Sequence, residues 1–273
     1  MSMKPHKAIG VVVTVCVLAV ASLYGPPATS KTTDTSDAWS TDTESGWGIQ
    51  FVQQNNTIFA TIYVYGPDGQ PTWYTATLIY QGGSTFIWTG DLIATTGPWF
   101  ASVPFNSAAV TRTVVGSMTF SFLTDLRLGT LTYTVNGVQV VKQIQRFLFT
   151  YENFNGTFSG VMSQQGTGTA CNPADDAATT PVTVQINQNA TAMTIVTQAN
   201  GNTCTFPGTY SQAGHFGQVS GSYVCTSGDK GTYVFAEMAI SWYEFRARSR
   251  LISQSGCTLK GYLIGLEQPP PPQ

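Results

Sequence analysis

Residues 129–144 read GTLTYTVNGVQVVKQI. Leu131, Tyr133 and Val135 recur with period two, the spacing that puts side chains on one face of a β-strand. Asn136-Gly137 follows, and both residue types tolerate the positive φ angles of a two-residue type I′ turn. The stretch therefore predicts an antiparallel hairpin between TLTYTV and VQVVKQI.

The same period recurs along the chain. Trp47, Ile49 and Phe51 alternate, as do Met118, Phe120 and Phe122, and Val182, Val184 and Ile186. Pro67-Asp68-Gly69 and Asn200-Gly201-Asn202 mark further reversals. No convincing helical period appears. The expected fold class is all-β, with antiparallel meanders closing as an up-and-down barrel or a sandwich. The cysteine-free half ends near Phe149, and a Gly/Thr/Asp-rich stretch follows. That shift predicts two β domains, residues 39–150 and 151–268, while one larger barrel built from both halves stays open at this level.

The ends read differently. Lys4 and Lys7 precede an apolar run from Ala8 to Ala21 that closes on Ala19-Val20-Ala21, the pattern of a secretory signal peptide over residues 1–21. The run is shorter than a membrane span needs, so no transmembrane anchor is expected in the mature chain. Residues 22–38, rich in Thr, Ser and Pro, read as a flexible leader, and 269–273 as a Pro-rich tail.

Beyond the signal lie four cysteines, Cys171, Cys204, Cys225 and Cys257, spaced too widely for a zinc site. An even count in an exported chain predicts two disulfides, with three pairings open, and a secreted or periplasmic location. Removing Lys4 and Lys7 from the twelve Lys and Arg leaves ten against fourteen Asp and Glu, a net charge of −4. Such a chain does not gain counterion-release energy on a phosphate backbone, so nucleic acid is not an expected partner.

The stretches ESGWGIQ, IFATIYVYGPDGQPTWY, FIWTGDLIATTGPWF, GTLTYTVNGV and KQIQRFLF, in that order, resemble a domain of exported bacterial proteins that occurs alone or appended to larger secreted chains. The resemblance covers residues 39–150. It implies an envelope or secreted location and no particular activity. This chain departs from the pattern at Ile62-Tyr63, where a Trp-Phe pair is common. The second half, with GTYSQAGHFGQVSGSYVC, resembles avidin-type and lipocalin-type strand pairs in architecture alone.

Catalytic groups are sparse. His215 is the one histidine beyond the signal segment, it reads as a loop residue, and no Gly-x-Ser-x-Gly elbow accompanies it. A glycosidase would need two carboxylates roughly 5–10 Å apart. Asp91, Asp125, Glu237 and Glu244 are the candidates, and Glu237 stands out because it interrupts the strand TYVFAEMAISWYEF. Arg246, Arg248 and Arg250 share a strand face, either paired with Glu237 or Glu244 or holding an anionic ligand. No metal or cofactor motif is present.

Aromatic residues are abundant instead. In TIFATIYVY, Phe59, Tyr63 and Tyr65 lie opposite Ile58, Ala60, Ile62 and Val64. A flat ring with a hydrogen-bonding edge suits the apolar faces and hydroxyl rims of sugars. Tyr63, Tyr65 and Tyr74 are the expected surface set. Trp47 and Trp73 are candidates too, although their positions at strand starts favour core plugs. The expected function is an exported, non-catalytic binding protein for a glycan, cell-envelope component or small amphiphile. The alternatives are a module that docks or inhibits another exported protein, and a hydrolase using Glu237 or Glu244.

Overall fold

The computed structural model describes residues 33–82, 86–123, 126–168, 170–171 and 178–268. The expected signal peptide, the Pro-rich tail and Asp125 lie outside those residues. The chain forms two closed antiparallel barrels of eight strands each.

The first contains β1 (Asp37–Ser40), β2 (Gly48–Gln54), β3 (Thr57–Tyr65), β4 (Pro71–Tyr80), β5 (Ile87–Thr96), β6 (Thr111–Phe122), β7 (Leu128–Val135) and β8 (Val138–Arg146). Each strand pairs with the next, and β1 closes on β8 through Trp39 opposite Arg146. The second contains β9 (Gly156–Thr167), β10 (Ala178–Asn189), β11 (Ala192–Ala199), β12 (Asn202–Ala213), β13 (Phe216–Cys225), β14 (Lys230–Ile240), β15 (Glu244–Ser253) and β16 (Thr258–Glu267). Here β9 pairs with both β10 and β16. The β1–β8 seam is short, with two paired positions, Trp39 with Arg146 and Ser40 with Gln145.

The alternating residues fill the two interiors. Ile49, Phe51, Met118, Phe120, Phe122, Leu131 and Tyr133 are buried in the first core, around Trp39 and Trp88. Trp39 and Phe120 meet edge to face with centroids 5.2 Å apart. Val182, Val184 and Ile186 join Phe206, Tyr233 and Phe235 in the second. Outward positions carry Gln50, Thr61, Thr75 and Thr77 among exposed Val52, Phe59 and Ile79.

Asn136 and Gly137 take φ of 48° and 85°, the values a type I′ turn requires. The cysteines pair as Cys171–Cys257 and Cys204–Cys225, the latter directly opposite each other on β12 and β13. Both bonds suit a chain that folds in an oxidising compartment. Among the described residues no helix is long and apolar enough to cross a membrane.

The first barrel begins earlier than 39. Thr35 is fully buried, its carbonyl accepts from Trp39 Nε1 at 3.0 Å, and β1 starts at Asp37. Phe154, in the segment that follows β8, is buried in the second core.

Candidate functional site

In an up-and-down barrel alternate connections share one end. The β1–β2 loop with ESGWG, the β3–β4 turn and the long β5–β6 loop therefore gather at one end of the first barrel. That end is rich in exposed rings.

On the outer surface beside it, Tyr63 of β3 lies opposite Trp73 of β4, and Tyr65 opposite Pro71. Tyr63, Tyr65 and Trp73 are 52%, 58% and 46% exposed. Directly opposed strand residues bring their Cβ atoms within about 5 Å, so the Tyr63 and Trp73 rings share one patch. The Tyr65 hydroxyl lies 3.2 Å from where a Cβ on Gly46 would sit, which ties it to the ESGWG corner. The same corner holds Trp47, half-buried against the core, with its Nε1 donating to Glu44 Oε2 at 2.9 Å. Lys142 bonds Glu44 at 2.6 Å and covers the Trp47 ring at 5.7 Å. Glu44 is accordingly held below the usual carboxylate range by its bonds to Lys142 and Trp47.

Two expectations are corrected. Tyr74, expected on the surface, faces inward opposite Ile62 and packs against the first core. Trp73, favoured as a core plug, is the exposed one. Neighbouring residues on a strand must face opposite ways, and the register that buries Ile62 and Leu78 takes Tyr74 inside with them.

The β5–β6 loop adds rings that the sequence reading did not single out. Trp99 and Phe100 pack on each other at 5.5 Å while remaining 67% and 87% exposed. Phe105 is exposed in the same loop. The signal was the run GPWFASVPF, which has aromatic residues but no strand period to bury them.

On the second barrel, Arg246, Arg248 and Arg250 all face outward from β15. Across from them on β16 stand Ile264, Tyr262 and Lys260. Arg248, Arg250, Lys260 and Tyr262 line a groove of about 460 Å³ whose other side is the small Val234 and Ala236. Glu237 bonds Arg248 Nη1 at 2.8 Å and accepts from Thr33 Oγ1 at 3.1 Å. It sits at a bulge in β14 with φ 49°, so it leaves the strand and pairs rather than entering the core. Glu244 is exposed at the start of β15, and Asp91 is exposed on β5.

His215 occupies the β12–β13 turn and reaches the first barrel. Its Nδ1 lies 2.9 Å from Asp37 Oδ2, and its Nε2 is 3.8 Å from Asp34 Oδ2. The Nδ1 contact is a hydrogen bond, whereas the Nε2 separation is that of a looser ion pair. Asp37 also accepts from Arg146 Nη1 at 3.0 Å. Burial would raise the Asp37 carboxyl, but the bonds and charge of His215, with Arg146, hold it below the usual range. Arg146 is buried, stacked 4.7 Å over Trp39 and 5.0 Å over Phe216 of the second barrel. This knot joins the barrels at the end of the first opposite the aromatic rim. Asp34 and Asp37 escaped the sequence reading because a short polar stretch looks like linker until the barrel closes around it.

Among the described residues no group of three His, Cys, Asp or Glu could hold a metal ion. No protein-family model, curated protein or solved structure matches this chain.

Proposed function

We propose that this is an exported binding protein whose first barrel recognises a glycan of the cell envelope through Tyr63, Tyr65 and Trp73. The observation that carries the reading is the exposed cross-strand pair of Tyr63 and Trp73, with Tyr65 exposed beside it on the same strand face. Holding rings of this size in water forgoes roughly 1.5–3 kcal/mol of burial each, which a surface with no occupant does not require. Thr75 on β4 and Gln50 on the adjacent β2 are outward residues in the row next to the pair, joined through Thr61, and supply a hydroxyl and an amide for sugar hydroxyls. The two disulfides and the resemblance of residues 39–150 to exported bacterial domains support a secreted or periplasmic location.

The test is co-sedimentation of the oxidised mature chain with insoluble polysaccharides and purified cell wall. Saturable binding to one of them, weakened about tenfold or more by Tyr63→Ala or Trp73→Ala and unchanged by Tyr74→Phe, is the expected result. Unchanged binding in Tyr63→Ala/Trp73→Ala eliminates this face.

A second reading, docking to another exported protein, is favoured by the β5–β6 loop, where Phe100 and Val103 stand almost wholly in solvent. Loss of a stoichiometric partner on Phe100→Ser, with polysaccharide binding intact or absent, would select it.

A further inference from the structure

The open end of the second barrel holds features that its core does not use. At the end away from His215 the barrel holds a half-open pocket of about 190 Å³. Both disulfides lie at that end, one closing β12 on β13 and the other tying Cys171 beside Cys257. Its lining mixes the apolar Met162, Phe206, Leu251 and Leu259 with the polar Gln164, Thr180, Thr197 and Asn202. An apolar cavity of about 150 Å³ accepts benzene, so this one has room for roughly one substituted ring.

Polar groups in the same region lack partners. Gln164, on the inward face of β9, lines the cavity, and its Nε2 is buried with no hydrogen bond. The Ser249 hydroxyl on β15 is buried and unpaired as well. The register places Ser249 opposite Gly261 and Gly261 opposite Gln164, so both orphaned groups lie on one inward row with a glycine between them. Glycine is required there because an added Cβ would run into the Ser163 carbonyl. A buried donor left unmade costs about 1–3 kcal/mol, a penalty that a bound acceptor would remove. At the rim, the Tyr223 hydroxyl donates to Asp229 Oδ2 at 3.0 Å. That carboxylate belongs to the pocket lining and opposes anions.

We infer that this end of the second barrel binds a small uncharged amphiphile, a body of about one substituted ring carrying a carbonyl oxygen that accepts from Gln164 Nε2. The site is independent of the aromatic rim on the first barrel and would stand if that rim bound nothing. The apolar side chains of the lining supply affinity through area removed from water, and the amide selects an oxygen over a hydrocarbon of the same shape.

The experiment uses the full oxidised chain and methyl NMR signals of Met162, Leu251 and Leu259, titrated with acetophenone, α-methylstyrene and benzoate. Acetophenone should shift those methyls and the Gln164 side-chain amide. α-Methylstyrene, equal in shape but without the acceptor, should bind about five- to tenfold more weakly, the loss of one hydrogen bond. Benzoate should bind more weakly than acetophenone. Gln164→Leu should erase the preference for acetophenone, and Leu259→Trp, which fills the cavity from β16, should abolish binding of both neutral probes. Absence of methyl shifts at millimolar acetophenone overturns the inference. So does an acetophenone preference that survives Gln164→Leu, or binding that survives Leu259→Trp.

Discussion

Replacing Arg146 with Met tests whether the knot between the barrels stabilises the fold. The Arg146 side chain is 1% exposed and that of Asp37 is 8%. Its guanidinium donates to Leu126 O at 2.9 Å, to Asp37 Oδ2 at 3.0 Å and to the carbonyl of Asp34. Hydrogen bonds to a charged group contribute about 1.5–3 kcal/mol each, so three give roughly 5–9 kcal/mol gross. Methionine keeps the apolar stem against Trp39 and Phe216, and carbonyls at a barrel end regain some contact with water. Breaking one partner of a buried pair costs about 3–5 kcal/mol, and that is the expected loss. Urea unfolding followed by tryptophan fluorescence reads it, because five of the six tryptophans lie between residues 39 and 99 in the first barrel. In a cycle with Asp37→Asn, the double variant should lose at least about 1 kcal/mol less than the sum of the singles. A loss under about 1 kcal/mol for Arg146→Met, or strict additivity, refutes the assignment.

Acid should weaken the same junction. The Asp37 carboxyl is held down in the folded chain, so the unfolded chain takes up its proton first. The stabilisation is complete above about pH 4, is lost as pH falls through the lower folded value, and should be missing in Asp37→Asn when stability is followed from pH 6 to 2. Removing Cys171–Cys257, which spans 86 residues, should cost about 4–5 kcal/mol, against about 3 kcal/mol for Cys204–Cys225, which spans 21. Paired Cys→Ser variants in denaturant titrations measure the order, and equal losses would argue against the loop-entropy origin. Gly137→Val puts a β-branched residue at φ 85° in the β7–β8 turn and should lower stability by more than about 1 kcal/mol, measured by thermal melting.

Strand identity was legible because alternation is local. Each inward residue of Met118-x-Phe120-x-Phe122 or Val182-x-Val184-x-Ile186 is specified by neighbours two positions away, and the Asn136-Gly137 turn by its own backbone preferences. The four cysteines beyond the signal segment likewise predicted two bonds without saying which. The faces of Trp73 and Tyr74 were legible as opposite, yet which one is wet depends on the register that sets Tyr74 against the buried Ile62. The knot needed more. Asp37 meets Arg146 and His215, residues 109 and 178 positions away, only once β1 closes on β8 and the second barrel docks its β12–β13 turn. Hydrophobic period records which side of a strand is dry, whereas ion pairs, orphaned amides and the end at which loops gather are set by ring closure over a hundred residues, for which a short polar segment carries no local mark.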